Sequence, residues 1–69
     1  MNMYKVEVYK KGILFETEEI EGDRIDRAYS VYCNKMVVNS FEESATIKLL
    51  EVASPDAQTL LKECDMISL

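Results

Sequence analysis

The chain is 69 residues long, carries thirteen acids against eight bases for a net charge of −5, and contains two cysteines and no histidine. That length gives one domain, residues 1–69, which buries only about 60% of the surface of its unfolded chain, so small domains of this kind commonly add self-association, a metal or disulfides. The missing histidine removes the commonest general base, the usual metal ligand and every Ser-His or Cys-His nucleophile pair, and an acidic chain without a basic stripe is unsuited to nucleic-acid phosphates.

Residues Met3–Lys10, MYKVEVYK, alternate with a period of two. Tyr4, Val6 and Val8 fall on one side and Met3, Lys5, Glu7 and Tyr9 on the other, the pattern of a half-buried strand. Lys11-Gly12 is a two-residue turn in which Gly12 takes a positive φ at low steric cost. Ile13–Glu21, ILFETEEIE, returns as a second strand. Such a turn opposes Val8 to Phe15, Val6 to Thr17 and Tyr4 to Glu19 on the apolar face. On the other face it opposes Tyr9 to Leu14, Glu7 to Glu16, Lys5 to Glu18 and Met3 to Ile20. The weak point of this register is the like-charge pair Glu7 and Glu16.

The stretch from Asp23 to Asn39, DRIDRAYSVYCNKMVVN, predicts an amphipathic helix. Ile25, Ala28, Tyr29, Tyr32, Cys33 and Met36 recur at three- and four-residue spacing and share one face at ~3.6 residues per turn. Asp23 is the expected N-cap, with Asp26 completing a capping box, and Gly22 lets the chain turn in. Val31 and Val38 project from the far side. They either rest on another element of the chain or form an exposed strip, the candidate surface for a homodimer.

Ser40 to Ser44 is a polar connector whose Phe41 is expected to tuck under the helix end. Ala45–Ala53, ATIKLLEVA, predicts a third strand. Ile47 and Leu49 share one face, and Leu50 and Val52 the opposite one. This implies burial on both sides or a bulge near Leu49-Leu50. Ser54-Pro55-Asp56 has the form of a helix start, followed by Ala57, Leu60, Leu61 and Cys64 at helical spacing. The tail from Met66 to Leu69 is apolar and either packs on the domain or meets a partner. The order ββαβα predicts an α+β fold: a small three-stranded sheet, the N-terminal hairpin plus a third strand, packed against a central helix, with a short C-terminal helix.

The charge is uneven. Lys5, Lys10 and Lys11 against Glu7 leave residues 1–12 at +2, whereas Glu16, Glu18, Glu19, Glu21, Asp23 and Asp26 against Arg24 leave residues 16–26 at −5. This acidic run is either a solvated face that keeps a small domain soluble or a patch that docks on a basic protein surface. In the second reading Glu16 and Glu18 lie on the sheet face away from the helix, and the other four extend the patch around the helix start. Tyr9, Leu14, Met3 and Ile20 form a mixed apolar surface, covered by the second helix or left open to a partner. Cys33 and Cys64 lie on apolar helical faces of a chain that opens on Met without a signal-like segment. They are expected to be reduced, buried thiols of a cytoplasmic protein. No apolar run reaches the ~20 residues that span a bilayer. We expect no enzyme: no catalytic residue, cofactor or metal site is proposed.

The opening YKVEVYKKG, the acidic strand and RIDRAYSVY resemble the hairpin and helix of many short uncharacterised accessory proteins of bacteriophages and mobile elements in Gram-positive bacteria. The likeness covers the first half of the chain. It implies a compact protein that binds and inhibits a host protein, such as a defence or nucleic-acid-handling factor. The expected function is therefore a small acidic protein–protein interaction module in the cytoplasm, with a structural homodimer as the alternative.

Overall fold

Alternating β-branched and aromatic residues, a turn that requires two positive φ angles, and one amphipathic segment determine most of the architecture. A computed structural model describes residues 3–41 and 44–66. In chain order these form β1 (Met3–Lys10), β2 (Ile13–Glu21), α1 (Ile25–Val38), β3 (Ala45–Ser54) and β4 (Ala57–Met66). The strands make one antiparallel sheet in the order β2-β1-β3-β4. The helix lies across the two central strands, β1 and β3. Tyr4, Val6, Val8, Ile20, Ile47 and Leu49 from the sheet meet Ala28 and Tyr32 from the helix in one buried core.

The expected C-terminal helix is a fourth strand, and the fold is ββαββ with one helix. Proline's fixed φ suits the second position of a β-turn as well as the first turn of a helix. Here Pro55-Asp56 is the turn of the β3–β4 hairpin. The helical spacing of Leu61 and Cys64 has a different origin. Leu49 pairs with Lys62 and Leu50 with Leu60, so Leu61 is an extra residue in β4. A bulge of this kind puts residues three apart on one face, and Leu61, Cys64 and Met66 all pack against the core. The irregularity foreseen near Leu49-Leu50 therefore belongs to β4. β3 itself pairs without a shift with β1; its helix side is buried at Ile47 and Leu49, and on the other face Val52 is buried beside half-buried Leu50.

The first hairpin keeps the expected turn. Lys11 and Gly12 have φ of 54° and 80°, which suits the right-handed strand twist. Lys10 pairs with Ile13 and Tyr9 with Leu14, but Val8 pairs with Glu16, so Phe15 is bulged out. From there the register differs by one from the expected one. Glu7 meets Thr17 instead of Glu16, Lys5 meets Glu19, and Ile20 meets Tyr4. The bulge thus removes a like-charge pair and moves Ile20 into the core, where it is 3% exposed.

The helix is shorter than Asp23–Asn39 and is rotated relative to the expected face. Arg24, not Asp23, is its N-cap, and no side chain caps it there. At the other end the Asn39 side-chain amide donates to the Lys35 carbonyl at 2.7 Å, and its backbone N–H to the same oxygen at 3.0 Å. Because only the central strands lie beneath the helix, its inner stripe is narrow. Ala28 and Tyr32 are buried and Val31 and Met36 pack on the core, whereas Ile25, Tyr29 and Cys33 are exposed. Val31 thus rests on its own chain, and Cys33 is not a core residue.

Candidate interaction surfaces

The strand pairing divides the acidic run between surfaces. Glu16 and Glu18, expected on the face away from the helix, stand on the helix side because the Phe15 bulge shifts their phase. There the Lys35 ammonium sits 2.9 Å from Glu16 and 3.6 Å from Glu18. The hydrogen bond to Glu16, aided by the charge of Glu18, holds the lysine above its usual pKa despite partial burial. Glu19 and Glu21 point to the opposite face, paired in register with Lys5 and Met3. Asp23 and Asp26 are exposed around the helix start. The six carboxylates therefore do not form one patch.

Among the described residues, no element covers the sheet face away from the helix. Four rows of side chains meet there: Leu14, Thr17, Glu19 and Glu21 from β2; Met3, Lys5, Glu7 and Tyr9 from β1; Thr46, Lys48, Leu50 and Val52 from β3; and Gln58, Leu60, Glu63 and Asp65 from β4. Its middle is knitted together. Lys5 pairs with Glu7 at 3.4 Å, the Tyr9 hydroxyl donates to Glu7 at 3.0 Å, and Lys48 lies 4.8 Å from the Tyr9 ring and 3.6 Å from Glu63. Thr46 donates to Asp65 at 2.8 Å. Burial, then the bond to the Glu7 carboxylate, raises the Tyr9 pKa. Five carboxylates against two lysines leave this face acidic. Glu19 and Glu21 make no ion pair among the described residues. Beside Glu19 a recess of about 370 Å³ opens, lined by Met3, Lys5, Val52, Pro55 and Gln58. Of the expected apolar set, Tyr9, Leu14 and Met3 are on this face and Ile20 is in the core.

A second surface is at the end of the molecule that bears the β1–β2 turn. Lys10 pairs with both Ile13 and Ala45, and the Lys11 N–H donates to the Ser44 carbonyl at 3.0 Å. These contacts set the turn beside the chain that leaves the helix. Ile13, Leu14 and Phe15 are exposed there, as are Val37 and Val38 in the last helical turn and Phe41 just after it. Phe41, expected to tuck under the helix, is 97% exposed. Lys10 covers the Phe15 ring at 3.8 Å.

Leu50, Val52 and Leu60 join the open face because β4 is a strand. The signal for them was present in the opposed faces of Ile47/Leu49 and Leu50/Val52. The run Ile13-Leu14-Phe15, apolar on both faces of an edge strand, was the matching signal for the second surface. Among the described residues no three His, Cys, Asp or Glu side chains are grouped to hold a metal, and no helix is long and apolar enough to cross a membrane. Compared with protein-family models, curated proteins and solved structures, the chain gives no significant match.

Proposed function

We propose that this chain is a small protein–protein interaction module that docks through the open face of its sheet onto a basic surface of a partner protein. The observation that supports the reading is the uncovered face itself. It combines apolar anchors, Leu14, Tyr9, Leu50 and Leu60, with an acidic surplus in which Glu19 and Glu21 make no ion pair among the described residues. Tyr and aliphatic side chains framed by charge are the composition of a docking surface, and complementary charge speeds encounter and rejects wrong partners. Like charge makes the same face a poor match for its own copy. The resemblance to phage accessory proteins makes a bacterial host protein the partner class to screen first.

The test is affinity capture from a Gram-positive bacterial lysate with three versions of the chain: wild type, Glu19→Lys/Glu21→Lys, and Asp26→Lys on the exposed helix as a control. A stoichiometric partner is expected with wild type and the control. It should be lost with the double variant and in high salt. A partner that the double variant retains would overturn this docking face.

A further inference from the structure

Of the nine large apolar side chains that stand exposed among the described residues, six (Ile13, Leu14, Phe15, Val37, Val38 and Phe41) gather at the end of the molecule that bears the β1–β2 turn. They come from three separate segments, which the Lys11–Ser44 hydrogen bond and the pairing of Lys10 with Ala45 bring together. We propose that this apolar end is a self-association surface, on which a second copy of the chain docks about a two-fold axis.

Two observations select a second copy as the occupant. The first is area. The six side chains are between 49% and 97% exposed, and together they offer on the order of 800 Å², what each partner contributes to a standard interface. The second is charge. In the sequence, Lys10 and Lys11 stand before and within the turn and Glu42 and Glu43 follow Phe41, so residues 10–15 and 37–44 carry no net formal charge in a chain of −5. Segments without net charge can meet their own copy without like-charge repulsion. An anionic membrane would need a basic surplus, and a basic partner an acidic one. A two-fold contact is the commonest way for a soluble chain to bury such a patch without building an open fibre. Leu14 alone belongs to both surfaces; the other five lie outside the open face, so this inference does not depend on the function proposed above.

Sedimentation velocity of the full chain, from 1 to 500 µM in low and in high salt, tests the proposal. Wild type should pass from monomer to dimer within this range, with the dimer undiminished in high salt. Phe15→Asp/Phe41→Asp should keep the wild-type circular dichroism and weaken dimerisation about 100-fold or more, the effect of losing two aromatic anchors. Should the double variant lose its fold through the β2 bulge, Val38→Arg on the exposed helix end is the second probe and should weaken dimerisation about tenfold. Leu60→Asp, on the open face, should leave it unchanged. A wild type that stays monomeric to 500 µM overturns the proposal, as does a dimer that survives the folded variants. A monomer that co-floats with phosphatidylcholine–phosphatidylglycerol vesicles would assign the apolar end to a lipid surface and overturn it too.

Discussion

The two ends of the molecule have opposite chemistry although the same strands run between them. The molecule is 39 Å in its longest dimension, close to the roughly 33 Å that a ten-residue strand spans. At one end stand Ile13, Leu14, Phe15, Val37, Val38 and Phe41; at the other, Glu19, Glu21, Asp23 and Asp26 surround the entry to the helix. β2 carries this gradient in a single strand, ILFETEEIE, and the bulge at Phe15 separates its two parts. Before the bulge, exposed apolar side chains stand on both faces. After it, one apolar residue, Ile20, enters the core and the acids keep the rest of the edge wet. An edge strand offers unpaired backbone groups to any neighbour. Charge closes the acidic half of this edge to a second copy, and the apolar half stays open to one.

The largest expected effect comes from exchanging the same residue type at the two ends of that strand. Ile20 is 3% exposed opposite Tyr4, whereas Ile13 is 72% exposed. Ile20→Ala removes packed methyl groups and should cost about 3 kcal/mol. Ile13→Ala should change the stability of the monomer by less than about 0.5 kcal/mol, as surface substitutions do. Urea unfolding at low protein concentration measures both. A comparable loss at Ile13 would mean that the apolar end is packed within its own chain, and the contrast between the ends would fail.

The two glycines provide a sharper comparison, since each closes a turn at a different end. Gly12 has φ of +80° and Gly22 of +74°, and a Cβ at either would meet no atom within 4 Å. The cost of Gly12→Ala and of Gly22→Ala is then backbone strain alone, about 1–2 kcal/mol for each. Equal losses are expected from thermal unfolding. A clearly larger loss at one end would show that its glycine is also held by contacts absent from the monomer.

Much of this fold was legible in the chain. The alternation of MYKVEVYK, the Lys11-Gly12 turn, the single central helix and the strand from Ala45 follow from periodicity and turn chemistry. What was hidden is what one extra residue does to a strand. Phe15 in β2 and Leu61 in β4 each interrupt a period of two. The first interruption moves Glu16 and Glu18 to the helix side and Ile20 into the core. The second gives β4 the spacing of a helix, reinforced by a Ser-Pro-Asp stretch that suits a turn equally well. Local pattern cannot choose between these readings, because the choice depends on whether the free edge of β3 is paired. The candidate sites inherited the same errors. The acidic run was visible but its division between two faces was not, and Val31 turned inward because the helix covers only the central strands.

The smallest expected effect concerns Lys35, which ties the acidic part of β2 to the helix by holding Glu16 and Glu18. Both carboxylates are close to half exposed, so water screens them and Lys35→Gln should cost only about 0.5–1 kcal/mol. The sign of its pH dependence follows from the lysine. Its pKa in the folded chain is raised, first by the hydrogen bond to Glu16. Folding therefore favours the ammonium form. This contribution is fully present below the unfolded pKa of about 10.4 and is lost as pH rises through the folded value. The urea midpoints of wild type and Lys35→Gln should differ at pH 8 and converge as pH passes above about 10.4. Buried Tyr4 and Tyr32 and the Glu7-bonded Tyr9 also have raised pKa values, which lowers the stability of both proteins in the same alkaline range. The gap between the two midpoints, not either midpoint alone, therefore reports on Lys35. A gap that persists well above the lysine's folded pKa would mean that its largely buried alkyl stem matters more than its charge.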